Sequence, residues 1–230
     1  MKNAAKWRDA VTDAVKASLS AWGLQLTQES LRKLQLFAAG LKEKNALLNL
    51  VSKTDEPQLW ERHILDSLAG APLLRRLLKP GAIIADAGSG AGFPGLALST
   101  ALEEFRFNLL DSSGKRCSFL NWSATAMNLE NVSVFHRRLG EGGVAAATGY
   151  DAVIERAMGQ LENILPQCLN ILAEGGIFLA WQSAAQTRER PAVNAALRKA
   201  GGELSETFPY RLPGETEARY ILVFRKRLQR

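Results

Sequence analysis

Apolar side chains return at helical spacing through Leu31, Leu34, Ala38, Leu41 and Leu48, one face of a helix that Thr27 is placed to cap. An earlier amphipathic stretch, residues 3–22, predicts a first helix that stops before Gly23. Pro57 suits the first turn of a third helix carrying Trp60, Ile64 and Leu68. No strand pattern precedes residue 82. Residues 1–80 therefore read as a helical portion, with no Gly/Ser linker marking its end.

Beyond residue 81 the period changes. Short apolar runs predict strands at Ile83–Asp86, Phe105–Leu110, Val132–Phe135, Tyr150–Ile154 and Ile177–Trp181, the last preceded by a turn at Gly175-Gly176. Helical stretches alternate with them: Phe93-Pro94 through Leu102, then 114–128, Leu161–Leu172 and 187–200. That alternation predicts an α/β domain over 81–230, its mostly parallel sheet covered on both faces. Two late strands, near 203–210 and 219–225, flank Pro213-Gly214 and should pair antiparallel.

Composition narrows the class without naming it. The 230 residues are 47% apolar and 23% charged, which is globular rather than disordered. No stretch reaches the roughly 18 apolar residues of a membrane span. Met1–Ala10 carries Lys2, Lys6, Arg8 and Asp9 with no apolar run behind them, so no secretory signal is expected. The two cysteines, Cys117 and Cys168, form no CxxC pair and read as buried thiols, with no metal site expected. A cytoplasmic address follows. The net charge of +6 suits a polyanion such as nucleic acid, or a merely soluble basic protein.

The densest local signal is the run Asp86 to Gly95, with Gly88, Gly90 and Gly92 between a strand and a helix. In a doubly wound sheet ligands bind at the carboxyl ends of the strands, where this loop falls. A dinucleotide fingerprint, G-x-G-x-x-G, would need a third glycine where Phe93 stands. The spacing G-x-G-x-G resembles instead the first motif of class I methyltransferases, whose loop curves beneath S-adenosylmethionine. Asp111, 23 residues after Gly88, ends the next strand. It is placed either to accept hydrogen bonds from ribose hydroxyls or to cap the following helix, a task Ser112 or Ser113 could also perform.

Further blocks occur in order: Asn49 to Ser52, Arg62-His63-Ile64-Leu65-Asp66-Ser67-Leu68, Leu109 to Ser112 with Lys115-Arg116, and Arg156-Ala157. Together with the glycine run they resemble the bacterial 16S ribosomal RNA guanine-N7 methyltransferases, the glucose-inhibited division protein B family, from about residue 25 onward. The resemblance implies a class I methyltransferase fold: Rossmann-like, its sheet mostly parallel with an antiparallel last strand, behind an N-terminal helical portion. It implies S-adenosyl-L-methionine as cofactor, held by Gly88, Gly90, Phe93, Asp111, Leu139, Gly140 and Arg156. It implies methyl transfer to N7 of a guanine in the decoding-region hairpin, on 16S ribosomal RNA or an assembling small ribosomal subunit, by a monomer. Arg219 matches a family arginine near the pocket, and Arg62 lies in the block expected to line it in part; both are candidates for RNA. Three positions depart from the family: Gly140 where an acid is common, with Glu141 adjacent; Glu155 where serine is common; and Gln182 where a lysine is frequent.

Guanine N7 carries a free lone pair, so no general base is expected and proximity with in-line orientation carries much of the rate. Glu155-Arg156-Ala157-Met158 stands where amino-group enzymes carry Asn/Asp-Pro-Pro-aromatic, and neither cysteine sits in a nucleophile motif. Arg156 is assigned chiefly to the cofactor, with an ion pair to Glu155 or Glu141 as the structural alternative. His63 reads as structural, with Asp66 at i+3 as its partner. The tail Arg225-Lys226-Arg227 with Arg230 is either an RNA contact or a solvated terminus. Two other readings stay open: a same-fold methyltransferase acting on another RNA or a small molecule, and a non-catalytic RNA-binding relative.

Overall fold

The computed structural model describes residues 11–139, 149–186 and 191–228. Helix α1 (Asp13–Ala21) begins at Thr12, whose side chain accepts from Val15 N; the rest of the expected first helix, residues 3–10, lies outside the described residues. Thr27 caps α2 (Gln28–Leu48) as expected, its hydroxyl accepting from Ser30 N. Asn49 ends α2 at φ 49° in the left-handed conformation that asparagine tolerates. Behind it Asn45 Oδ1 accepts from Leu50 N and Val51 N at 2.8 and 3.0 Å, which fixes the course of residues 50–52.

The expected third helix is broken into pieces. A 3₁₀ turn over Glu56–Gln58 contains Pro57, a π-helical turn spans Trp60–Ile64, and α3 (Leu65–Leu68) follows, then a separate α4 (Ala71–Leu77). The π turn adds a residue to the helical repeat, a distortion that recurs at functional sites.

Among the described residues seven strands form one sheet in the order β3-β2-β1-β4-β5-β7-β6. These are β1 (Ile83–Ala87), β2 (Arg106–Asp111), β3 (Val132–His136), β4 (Tyr150–Arg156), β5 (Leu172–Ser183), β6 (Gly202–Tyr210) and β7 (Arg219–Lys226). The pairs from β3 across to β5 are parallel, while β7 runs antiparallel to both β5 and β6, as the pattern predicted. Helices α5 (Gly95–Ala101), α6 (Gly114–Ala126), α7 (Leu161–Ile171) and α8 (Pro191–Lys199) accompany the sheet.

One expected boundary moves. Gly175-Gly176 is not a turn ahead of a strand but lies inside β5, which starts at Leu172. A Cβ on Gly176 would come within 2.9–3.2 Å of the backbone oxygens of Ala173, Tyr150 and Asp151. Glycine is there so that two strands can approach, and the pairing register of β4 with β5 shifts at this point.

The chain turns outward from β1 in both directions, toward β2 and β3 and then back to β4. The carboxyl ends of β1 and β4 therefore diverge at the switch point, where an open α/β sheet leaves its crevice. One apolar core runs beneath the helical portion and the sheet, from Val15 and Phe37 through Leu65 and Leu68 to Leu96, Leu109 and Ile221. A second core lies on the opposite face, around Val153, Leu165, Cys168 and Phe178. Both cysteines are buried and free.

Candidate functional site

The loop after β1 is held by short bonds to its neighbours. Gly88 N and Ser89 N donate to Leu110 O at 2.9 and 3.0 Å, and Ser89 Oγ donates back to Asp86 O. Gly88, Gly90 and Gly92 all sit at positive φ, 68°, 57° and 98°, the region that other L-residues rarely adopt. Asp86 is fully buried beneath this loop, and its Oδ2 accepts from Gly95 N at 3.0 Å, tying the start of α5 to the strand. Its Oδ1 is buried without a partner. Burial pushes the Asp86 carboxyl up to about 7.

Asp111 ends β2 and meets the loop from the side. Its Oδ2 accepts from Gly90 N at 2.9 Å and its Oδ1 from Ser113 N at 2.8 Å. The capping alternative is thereby settled in favour of Ser113, whose hydroxyl accepts from Arg116 N at the start of α6.

Above the loop stands an ion-pair network. Asp66, on α3 and 2% exposed, accepts from Arg156 Nη1 at 2.8 Å, from the Tyr210 hydroxyl at 2.6 Å and from Arg219 Nη1 at 3.4 Å. Its backbone oxygen accepts from Trp181 Nε1 at 2.8 Å. Strand register brings these partners together: Arg156 pairs with Trp181 across β4 and β5, and Arg219 lies between Ser183 and Tyr210. A Cβ on Gly70 would run into the Trp181 ring, so the helical portion seats on the sheet only with glycine there.

One expectation is corrected: Asp66 does not pair with His63, because Arg156 reaches it first from β4. The structural alternative for Arg156, an ion pair with Glu155, is not formed, since Glu155 is buried and engaged with Met158 N and Gln182. His63 is held by Arg156 instead. Arg156 Nη2 lies 2.8 Å from His63 Nδ1, and a guanidinium only donates, so Nδ1 accepts and Nε2 carries the hydrogen. The imidazole stacks on Phe93 at 5.1 Å, and the Arg156 guanidinium lies over the same ring at 5.0 Å. Burial, reinforced by the Arg156 charge, lowers His63 to about 4, so the ring is neutral at pH 7. The Asp55 carboxylate stops 3.8 Å from Nε2, held by Ser52 Oγ at 2.8 Å and facing Arg62 at 3.4 Å.

Loop and network enclose a cavity of about 430 Å³. Gly88, Gly90, Phe93, Arg156, Arg62 and Arg219 all line it, so the structure brings these predicted residues to one cleft. Asp111 lies one step back, behind Gly90. Leu139 is half-buried and packs against the second core. Gly140 and the adjacent Glu141 lie outside the described residues, as does Arg230. The tail cations are engaged within the fold: Arg225 Nη1 donates to Gly175 O, Lys226 Nζ to Leu172 O, and Arg227 pairs with Glu203. Sequence reasoning missed Asp55, Trp181 and Tyr210 as lining residues. The one available signal was Asp66 itself, an acid inside an apolar helical stretch, but Arg62 and His63 one turn earlier offered local partners and hid its distant ones. Among the described residues no group of three or more His, Cys, Asp or Glu is placed to hold a metal ion.

Comparisons with known proteins agree with this geometry. Residues 30–210 match the family model described as rRNA small subunit methyltransferase G. The chain is 32% identical over 217 residues to the ribosomal RNA small subunit methyltransferase G of Staphylococcus saprophyticus, covering 92% of this chain and 88% of that one. It is 40% identical over 164 residues to the protein of the same description from Sorangium cellulosum, covering 70% and 67%. Among solved structures, a SAM-dependent methyltransferase from Aquifex aeolicus superposes with a TM-score of 0.55 at 16% identity, over 76% of this chain and 95% of that one. M. jannaschii TYW2 in complex with AdoMet gives 0.54 at 13% identity, over 71% and 77%. At such identities the structural likeness establishes the fold alone.

Proposed function

The chain belongs to the rRNA small subunit methyltransferase G family and is an S-adenosylmethionine-dependent methyltransferase of ribosomal RNA, and from that premise we propose that its acceptor is N7 of a guanine in the decoding-region hairpin of 16S ribosomal RNA. The observation that carries this reading is the engagement of the cleft's acids and bases. His63 Nδ1 is occupied by Arg156, Asp66 by two arginines and Tyr210, and Asp55 by Ser52. The Tyr210 hydroxyl, raised by burial and by the Asp66 charge, keeps its proton. Such a site suits an acceptor that needs no proton removed before attack, and guanine N7 is one.

The residues present fit the cofactor. The glycine loop leaves backbone where side chains would otherwise stand, and Gly88, Ser89, Gly90 and Ala91 line the cleft directly. When bound, S-adenosylmethionine supplies an electrophilic methyl group on its sulfonium. In this reading Gly88 and Gly90 admit the cofactor close to the backbone, and Asp111 accepts from its ribose hydroxyls. Phe93, Leu139, Gly140 and Arg156 complete the binding set. Arg156 does so from a position already fixed by Asp66 and His63, which makes it a preorganised donor. Arg62 and Arg219, partly exposed at the rim, hold RNA phosphates and orient the base.

The enzyme acts in this reading as a cytoplasmic monomer, on 16S ribosomal RNA or an assembling small subunit. Among the described residues no helix is long and apolar enough to cross a membrane. The test is direct. The protein is incubated with labelled S-adenosylmethionine and with small subunits or 16S RNA from cells lacking the modification, and methylated guanines are mapped by cleavage at N7-methylguanosine. One labelled guanine in the decoding hairpin is the expected result. Label in another RNA or a small molecule, or cofactor binding without any N7 product, overturns the reading.

A further inference from the structure

One buried group serves neither the glycine loop nor the ion-pair network directly. Glu155, 1% exposed, is the last-but-one residue of β4. Its Oε2 accepts from Met158 N at 3.2 Å, and its Oε1 accepts from Gln182 Nε2 at 3.3 Å on the neighbouring strand. Gln182 is itself buried, so this bond anchors the carboxylate from β5.

The segment Glu155 closes is strained. Ala157 has φ 61°, in the left-handed region where a Cβ is unfavourable. From this turn two side chains leave in opposite senses. Arg156 rises to Asp66, and Met158 lies on the glycine loop: a Cβ on Gly88 would come within 2.8 Å of Met158 Cγ and 3.1 Å of Sδ. A chain of contacts thus runs from Gln182 through Glu155 and the Met158 amide to the floor of the cleft at Gly88. Without the carboxylate the Met158 N–H loses its partner and nothing offsets the strain at Ala157, so the turn relaxes to an ordinary φ and Met158 leaves the loop.

We propose that Glu155 is a positioning residue, which clamps the Arg156–Met158 turn in its strained form so that Met158 packs on Gly88 from the second core and supports the loop that lines the cofactor cleft. The inference rests on the cofactor occupying the cleft above Gly88.

The experiment measures S-adenosylhomocysteine affinity by titration calorimetry on the full chain, with circular dichroism to confirm folding. Glu155→Ala should weaken binding roughly 10-fold, the scale of one lost hydrogen bond with an unpaired donor. Glu155→Gln keeps an acceptor for the Met158 amide and should stay within about 3-fold of the parent. Adding Ala157→Gly to Glu155→Ala should recover most of the loss, since glycine takes positive φ without strain. A merely structural role for Glu155 predicts no such rescue. Equal loss in Glu155→Gln and Glu155→Ala, full affinity in Glu155→Ala, or no recovery in the folded double variant each overturns the proposal. Should Glu155→Ala fail to fold, Met158→Ala serves in its place: it should weaken binding about as much, and parent affinity in that variant overturns the proposal. Gly88→Val tests the underlying placement separately: if it binds as the parent does, the cofactor lies elsewhere, and the site assignment rather than the clamp has failed.

Discussion

Truncating Asp66 should cost more than any other single change at the cleft. Asp66→Ala leaves the Arg156 guanidinium, its side chain 14% exposed, without a counter-ion at 2.8 Å. It also leaves the buried Tyr210 hydroxyl without an acceptor at 2.6 Å. Breaking a buried pair by removing one partner costs about 3–5 kcal/mol, and an unpaired buried hydroxyl adds about 1–3 kcal/mol. Two features pull the sum down. Arg156 retains His63 and the Phe93 ring, and Arg219 retains Glu215 at 2.6 and 2.8 Å. The cleft also lets water reach the freed guanidinium. The net loss should be about 3–4 kcal/mol, a large share of the 5–15 kcal/mol a domain holds. Urea unfolding followed by circular dichroism measures it, read as a change in midpoint at constant m. Asp66→Ala, Arg156→Ala and the double variant form a cycle whose coupling should be about 2–3 kcal/mol. A loss below about 1 kcal/mol for Asp66→Ala, or additive single losses, would refute the view that this ion pair fastens the helical portion to the sheet.

Other consequences are simpler to check. Gly95→Ala drives a methyl into Asp86 Oδ2 and Leu109 Cδ2 and should destabilise the fold by about 2–3 kcal/mol, visible as a lower Tm. A parent-like Tm would mean that α5 can ride up off the sheet. Arg219→Ala should raise KM for RNA roughly 10-fold, flatten the salt dependence of RNA binding by about one unit of slope, and leave cofactor affinity within about 2-fold. A change confined to the cofactor would place Arg219 in the wrong role. Glu155 is lifted by burial from an ordinary 4.5 to about 7. The folded state therefore holds a proton that the unfolded chain has already released. Stability from this group is full below about pH 4.5 and declines as pH rises through 7, by up to roughly 3 kcal/mol. Asp86, lifted from 3.8 to about 7, acts in the same sense. Glu155→Gln should flatten the fall in urea stability between pH 5 and 8, and an unchanged slope would show that Glu155 does not titrate there.

Local features were legible and distant ones were not. Thr27 as a cap, the strand-loop-helix around Gly88, and the antiparallel pairing of β6 with β7 are all written within a few residues, so period and turn chemistry reveal them. The π turn at Trp60–Ile64 left no pattern of its own, because one extra residue per turn does not disturb a short apolar stripe. The Asp66 network was invisible because its members lie 90 and 144 residues apart along the chain, joined only by strand order. The pull of Arg156 on His63, not the i+3 spacing of Asp66, decides the histidine's partner. Gly175-Gly176 misled for a different reason: glycine marks turns and close backbone approach alike, and only the neighbouring strand tells which.

The two departures from the family at Glu155 and Gln182 take on a different meaning once the strands are in place. Taken singly along the sequence, Gln182 looks like the loss of a cation from a substrate pocket, and Glu155 like an acid in place of a common serine, able to pair with Arg156. They are 27 positions apart on adjacent strands, and they bond to each other. A lysine at 182 facing Glu155 would form a buried ion pair and draw the carboxylate away from the Met158 amide. A serine at 155 would not reach that amide across the turn as a longer carboxylate does. An amide opposite a carboxylate instead supplies one donor without a charge, which leaves the second oxygen free for Met158 N. The pair holds the turn that presents Arg156 to Asp66 on one side and Met158 to Gly88 on the other. On this account, changing Gln182 to lysine sets a cation in the cleft wall, which Gln182 lines, directly against the Glu155 carboxylate. It should pull on the clamp and weaken cofactor binding before it affects RNA.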